Sequence, residues 1–206
     1  DYVYDLGSRL DIISKGLVSV DYDYDSLNRV KDVTTTLNAS PFTLHYAYDA
    51  SGNRTQLTYP HGRIVKYTYD ELNRLDLIQD QSSQTLYNFG YDELSRRTSL
   101  SRPNGITSSY SYDTLNRLTQ IQHGTLATIS YPLYDKVGNR KQMTDSRGTQ
   151  DYSYNNVYEL TTVTGALSSS YTYDAVGNRT AASGQGTPTS YTPNNLNQYS
   201  SVDSVT

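Results

Sequence analysis

A Tyr-Asp dipeptide recurs along the whole of this 206-residue chain at nearly constant intervals. It occurs as Tyr4-Asp5, Tyr24-Asp25, Tyr48-Asp49, Tyr69-Asp70, Tyr91-Asp92, Tyr112-Asp113, Tyr134-Asp135 and Tyr173-Asp174, and in degraded form as Tyr154-Asn155 and Pro193-Asn194. Successive spacings lie between 19 and 24 residues. Such a period predicts a tandem array in which each repeat packs against its neighbours. We expect residues 1–206 to be a single array of about ten repeats, the last one degraded, excised from a longer protein.

Each repeat has the pattern of a β-hairpin. Aromatic residues alternate before the Asp, as at Tyr22 and Tyr24, which predicts a strand with both rings on one face. The Asp then begins a turn, and the residue three positions later is here called the anchor. The ten anchors are Ser8, Asn28, Gly52, Asn73, Ser95, Asn116, Gly138, Tyr158, Gly177 and Asn197. Because Gly and Asn tolerate positive φ, the anchors favour a three-residue loop that combines a type I turn with a G1 bulge.

The strand that leaves each turn has a fixed apolar position. Five residues beyond the anchor the chain carries Ile13, Val33, Leu57, Ile78, Leu100, Ile121, Met143, Val163, Ala182 or Val202. We expect this position to be the buried point of the returning strand.

Arginine follows the anchor in two arrangements. It comes directly after the anchor at Arg9, Arg29, Arg74, Arg96 and Arg117. An Asn separates anchor and arginine at Arg54, Arg140 and Arg179. We expect the first group to lie across from the turn Asp, where an ion pair can form. We interpret the second group as a longer exit with one inserted residue, which turns the guanidinium toward the tyrosine face, where it can stack on a ring.

Composition limits the core and the partners. Hydrophobic residues make up 35% of the chain, which contains 22 tyrosines and no tryptophan or cysteine. Burial must therefore depend largely on tyrosine, whose hydroxyl still needs a hydrogen-bond partner. The net charge of −4 argues against nucleic acid as a partner. No apolar run is long enough for a membrane span. We predict an all-β fold in which about ten hairpins form one long antiparallel, curved or spiralling sheet.

The motif Y-x-Y-D-x-x-G/N-R, repeated with P-N-G turns such as Pro103-Asn104-Gly105, resembles the YD or RHS repeats. That family includes bacterial RHS toxin shells, cocoon-forming subunits of insecticidal toxin complexes, wall-associated proteins and teneurins. The resemblance implies a sheet that spirals into a hollow shell enclosing a polypeptide, repeats without catalytic residues, and a secreted or cell-surface location, most often bacterial. The D-P-x-G-L self-cleavage motif of the toxin members is absent, since no Asp in this sequence precedes a Pro.

Two functional interpretations follow. In the first, the chain is a structural protein: shell wall, stalk or filament. Its partners are then copies of itself, further repeats of the same protein, or an enclosed polypeptide. Its sheet could be a closed shell or wide barrel, or an open strip. In the second, it is a cell-surface adhesion or glycan-binding module, in which exposed Tyr and Arg side chains contact glycans or the proteins of another cell. We expect neither a catalytic residue nor a metal or cofactor, because the carboxylates recur once per repeat at turn starts, where a structural role is favoured.

Overall fold

The computed structural model describes residues 1–184, 186 and 188–204. This part of the chain contains twenty β-strands joined by turns. It divides into two compact units, Asp1–Thr107 and Ser108–Thr206. None of its segments is a helix with the length and hydrophobicity needed to cross a membrane. The prediction of an all-β array of antiparallel hairpins is confirmed.

The first unit is a ten-stranded meander in which each strand pairs antiparallel with the next. Its strands are β1 (Tyr2–Tyr4), β2 (Leu10–Lys15), β3 (Val18–Tyr24), β4 (Val30–Leu37), β5 (Ser40–Tyr48), β6 (Arg54–Thr58), β7 (Ile64–Tyr69), β8 (Leu75–Asp80), β9 (Thr85–Tyr91) and β10 (Arg97–Ser101).

The second unit repeats the arrangement, again with each strand antiparallel to its successor. Its strands are β11 (Thr107–Tyr112), β12 (Leu118–His123), β13 (Ala127–Tyr134), β14 (Arg140–Asp145), β15 (Gly148–Tyr154), β16 (Leu160–Gly165), β17 (Ser169–Tyr173), β18 (Arg179–Ser183), β19 (Thr189–Pro193) and β20 (Tyr199–Ser204). Among the described residues β1 pairs only with β2 and β20 only with β19, so each is an edge strand of its own unit.

The turn after each odd-numbered strand has the expected geometry. In the turn at Asp25, the N–H of Asn28 donates to the Asp25 carbonyl at 3.0 Å, and the N–H of Asp25 donates to the Arg29 carbonyl at 2.9 Å. All ten anchors have positive φ, from 57° at Asn197 to 95° at Gly138. We refer to these as the Tyr-Asp turns and number their positions from the Asp, so that the anchor is fourth.

A second bulge follows every Tyr-Asp turn, and the sequence did not predict it. In the hairpin of β3 and β4, Tyr24 pairs with Val30 but Asp23 pairs with Asp32, so the seventh position, Lys31, is extra. The same one-residue shift occurs at the corresponding place in all the Tyr-Asp hairpins. Because of the extra residue, the sixth and ninth positions lie on one face although they are three residues apart.

One face of each sheet carries the rings and the aliphatic side chains. The first aromatic residue of a repeat pairs directly with the ninth-position apolar residue, as Tyr46 does with Leu57, which in turn pairs with Val65 on the next strand. The core is thin, because the buried hydrophobic side chains are confined to Leu57, Val65, Tyr131, Tyr152 and Val163 among the described residues. Polar side chains hydrogen-bond to one another across neighbouring strands elsewhere, as Thr34 and Thr43 do at 2.9 Å.

Candidate functional site: the Tyr-Asp turns and the inter-repeat ladder

In the eight Tyr-Asp turns that begin with Asp, the carboxylate is held by backbone N–H groups. Oδ1 of Asp25 accepts hydrogen bonds from the N–H of Leu27 at 2.9 Å and of Arg29 at 3.0 Å. Oδ1 of Asp70 accepts the equivalent pair from Leu72 and Arg74, each at 2.9 Å. An Asp side chain that satisfies two turn donors stabilises the turn locally, which is the usual role of Asp at this position.

The side chain at the fifth position also binds the carboxylate of the turn Asp. Nε of Arg29 donates to Oδ2 of Asp25 at 2.7 Å. Arginine forms the same ion pair in the turns of Arg9, Arg74, Arg96 and Arg117. The predicted ion pair is therefore confirmed for all five arginines that directly follow an anchor.

The interpretation of the other three turns as longer exits was wrong. In the turn at Asp49, Asn53 occupies the fifth position and donates from Nδ2 to Asp49 Oδ2 at 3.0 Å, where other turns have arginine. Asn139 and Asn178 do the same in their turns, each at 2.9 Å. The loop length is unchanged, and the arginine occupies the sixth position in place of an aliphatic residue.

The two degraded repeats keep the contact with different chemistry. Asn155 replaces the Asp, and its Nδ2 donates to Glu159 at the fifth position, so the carboxylate has moved to the other side of the turn. In the last repeat Asn194 and Gln198 form a neutral pair at 3.4 Å. The side chains at the first and fifth positions are therefore in contact in all ten turns, but only five of these pairs join opposite charges.

Hydrogen bonding holds the pKa of the turn carboxylates below the ordinary Asp value. For Asp5 the main cause is the Arg9 side chain, for Asp49 the Asn53 amide, and for Asp70 the backbone N–H of residue 74. These groups are stabilised as anions, whereas a general acid or base needs a pKa near the working pH.

The fifth position also bonds to the next turn along the chain. Nη1 of Arg29 donates to the Asp49 carbonyl at 2.9 Å. Nδ2 of Asn53 donates to Oδ1 of the anchor Asn73, also at 2.9 Å. Each of these bonds spans 20 residues, or one repeat.

The tyrosine of the Tyr-Asp pair makes a second link between repeats. Its hydroxyl donates to the main-chain carbonyl of the sixth position in the preceding repeat, as Tyr48 does to Val30 at 2.8 Å and Tyr69 to Arg54 at 2.9 Å. Further tyrosines that make this bond include Tyr24, Tyr91, Tyr134, Tyr154 and Tyr173. The hydroxyls of these seven half-buried tyrosines are thus satisfied by the backbone. We call these two sets of bonds the inter-repeat ladder.

Guanidinium groups stack on the rings in both arrangements. At the fifth position, the Arg29 Cζ lies 4.6 Å from the centroid of the Tyr48 ring in the next repeat. At the sixth position, Arg140 lies between Tyr131 at 4.9 Å and Tyr152 at 5.1 Å. The predicted stacking of the second arginine group is confirmed, and the first group stacks as well. Distances of this kind correspond to cation–π contacts.

The tightest of these sandwiches contains two unsatisfied donors. Nε of Arg140 and Nε2 of Gln150 are buried without a hydrogen-bond partner. Gln150 is 4% exposed, and its Oε1 lies 3.3 Å from the hydroxyl of Tyr152. Tyr131 enters the stack although it is three residues before Tyr134, because an irregularity of β13 between Ser130 and Leu133 restores the register.

Other polar clusters do not assemble a reactive site. The Ser108 hydroxyl is 2.7 Å from Nδ1 of His123, but Ser108 is completely buried and thus inaccessible to a substrate. Burial, with Asp23 and Asp11 nearby, raises the pKa of Asp21. Within the described ranges no three His, Cys, Asp or Glu side chains lie together as metal ligands do.

Sequence reasoning missed one periodic feature of the turns. The third position is Leu or Val in eight turns and exposed in all of them: Leu27, Leu72, Leu94, Leu115, Val137, Val157, Val176 and Leu196. The constant offset from the Asp was visible in the sequence, but exposure was not, since an apolar residue is normally assigned to a core.

Comparisons with known proteins agree with this geometry. A family model described as RHS Repeat matches residues 24–64, 48–85 and 91–126. No curated protein sequence matches the chain. Three solved structures are similar at 17% identity over 96% of this chain: TcdB2-TccC3-Cdc42 and TcdB2-TccC3, each with a TM-score of 0.77, and the Tc holotoxin pore of Photorhabdus luminescens, with a TM-score of 0.72.

The chain spans only 13 to 14% of the length of those structures' chains, so the likeness concerns the fold of one segment. The matched ranges, together with the Tyr-Asp turns and their spacing, show that this chain contains RHS repeats.

Proposed function

We propose that this chain is a segment of the wall of a hollow β-shell, with no catalytic role of its own. The proposal rests on the hydrogen-bond partners of the polar side chains. The turn carboxylates, the fifth-position side chains and the tyrosine hydroxyls are engaged within their own turn or with the adjacent repeat. A surface built for chemistry leaves such groups free to meet a substrate, whereas a wall uses them to join its units.

The wider setting of the wall is part of the same proposal. Residues 1–206 are one continuous array in a longer protein, and the motif residues are structural. The likeness to segments of toxin-complex chains supports an array that continues into further repeats. The open strands β1 and β20 offer unpaired backbone groups to such repeats. The shell is secreted or displayed on the cell surface and encloses a polypeptide.

A second candidate is an adhesion module that binds glycans. It is favoured by the tyrosines outside the ladder that stay exposed, namely Tyr2, Tyr4, Tyr59, Tyr87, Tyr158 and Tyr199. Exposed rings can stack on the apolar faces of sugars.

Particle shape and glycan retention separate the two. Negative-stain images of the purified chain should show hollow bodies or curved strips, and a glycan array should retain nothing. A compact monomer held on the array, and released by Tyr87→Ser, would overturn the wall proposal. The matched variant Tyr69→Ser, which alters a ladder tyrosine, should change stability and not glycan retention.

A further inference from the structure

The exposed aliphatic residues at the third turn position form a regular series in the second unit. Five consecutive turns carry Leu115, Val137, Val157, Val176 and Leu196, which we call the tip row. They are 60 to 76% exposed. Scattered exposed apolar residues need no explanation, but an exposed apolar residue at every Tyr-Asp turn of a unit does.

The geometry of the turn does not explain why leucine or valine occupies the third position. The third position of the loop is the second central residue of a type I turn, where polar residues and glycine are usual. The loop is already closed by the first, fourth and fifth positions. A polar residue would therefore serve the hairpin at least as well as leucine or valine.

The spacing of the tip row limits what can cover it. Each hairpin is two strands wide, so neighbouring tips are about 9.6 Å apart and the row is about 40 Å long. A partner that touches every tip must repeat with the same period, as the tip row of a second copy does. Charge does not oppose this pairing, because Lys136 is the single charged residue among the ten at the second and third positions of these turns.

We propose that the tip row is a self-association surface, on which a second copy of this chain docks with its own tip row about a two-fold axis. In the register that covers all five tips, Val157 meets Val157 of the other copy, Val137 meets Val176, and Leu115 meets Leu196. Five side chains form a small surface compared with the roughly 800 Å² per partner that a standard stable interface buries. The pairing is therefore weak and depends on concentration. It uses the turns and not the open strands, so it is independent of the shell wall.

Sedimentation velocity over a concentration series tests the surface. The unaltered chain should increase in weight-average mass as its concentration rises. The triple variant Val137→Asn, Val157→Asn, Val176→Asn should weaken the association at least tenfold, with its melting temperature preserved. The control variant Leu17→Asn, Leu126→Asn removes two equally exposed leucines from the other turns and should associate like the unaltered chain.

Three results would overturn the proposal. These are a monomer at all concentrations up to about 1 mM, equal association of the triple variant, or flotation with neutral phosphatidylcholine vesicles that the triple variant loses while neither protein self-associates. The last result would assign the row to a membrane.

Single-cysteine variants test the register, since the chain has no cysteine of its own. Under mild oxidation Val157→Cys should form a disulfide-linked dimer. Leu115→Cys should form one only when mixed with Leu196→Cys. Equal cross-linking of Val157→Cys and the control Leu126→Cys would indicate random collision and contradict the two-fold arrangement.

Discussion

The hydroxyl of Tyr69 donates to the carbonyl of Arg54 at 2.9 Å, so one side chain joins two consecutive repeats. The bond serves a half-buried tyrosine and a main-chain acceptor at the point where the sheet departs from regular pairing. Contacts between repeats therefore add to the stability that the hairpins themselves provide.

Removing the Tyr69 hydroxyl should show how much its bond to the Arg54 carbonyl contributes to stability. Tyr69→Phe keeps the ring but leaves the Arg54 carbonyl without the bond, so we expect a loss of about 1 kcal/mol in the free energy of unfolding. Urea denaturation followed by circular dichroism provides the measurement. Tyr87→Phe, at an exposed tyrosine outside the ladder, should change stability by less than about 0.5 kcal/mol. Equal effects of the two substitutions would contradict the ladder.

Gly138 should resist replacement by a β-branched residue. Its φ is 95°, and a Cβ added at this position would meet no atom within 4 Å, so the penalty is conformational and not a clash. Gly138→Val should destabilise the protein by about 1–2 kcal/mol, measured by the shift in thermal unfolding. An unchanged melting temperature would show that the turn does not constrain its anchor.

Tyr158 should respond in the opposite direction. It is an exposed anchor with φ of 68°, a conformation that a bulky residue adopts at a cost. Tyr158→Gly removes that strain, and we expect the free energy of unfolding to rise by about 1 kcal/mol. A decrease in the same urea experiment would mean that the ring makes a contact of greater value than the strain.

Acid should remove the contribution of the turn carboxylates. The backbone N–H of Arg29 is the main cause that lowers the pKa of Asp25 below its unfolded value of about 3.9. The stabilisation is thus present above that value and is lost as the pH falls through the lower pKa of the folded state. The stability difference between the unaltered chain and Asp25→Asn should therefore shrink from pH 7 to pH 2.5. A difference that stays constant would contradict a role for the ionised form.

The buried donor on Arg140 should make this arginine easier to replace than Arg54. Both lie at the sixth position between two rings, but only Arg140 has a buried Nε without a partner among the described residues. Arg140→Leu should cost less stability than Arg54→Leu, by about 1–2 kcal/mol, because it also removes an unsatisfied group. Equal losses in urea denaturation would mean that the buried donor carries no penalty.

The sequence predicted the elements that depend on local order. The hairpins, the positive φ of the glycine and asparagine anchors, and the pairs of Asp with arginine four residues later all follow from short-range spacing. The register between paired strands and the contacts between repeats could not be predicted from short-range spacing. The bulge at the seventh position places Arg54 on the ring face without any insertion. The acceptors of the tyrosine hydroxyls are carbonyls, which no side-chain pattern reveals.

The bonds between turns also restrict the order in which repeats can be exchanged during evolution. Arginine at the fifth position is long enough to reach a backbone carbonyl of the next turn, as Arg29 and Arg117 do before glycine anchors. Asparagine is shorter, and Asn53 and Asn178 bond instead to the side chain of an asparagine anchor. Asparagine at the fifth position thus keeps this bond before an asparagine anchor, whereas Asn139, which precedes the anchor Tyr158, makes no such bond among the described residues. Exchange of single repeats therefore preserves the bond between turns only where such an asparagine is followed by an asparagine anchor, although at Asn139 the hydroxyl of Tyr154 still joins the two repeats through the Arg140 carbonyl.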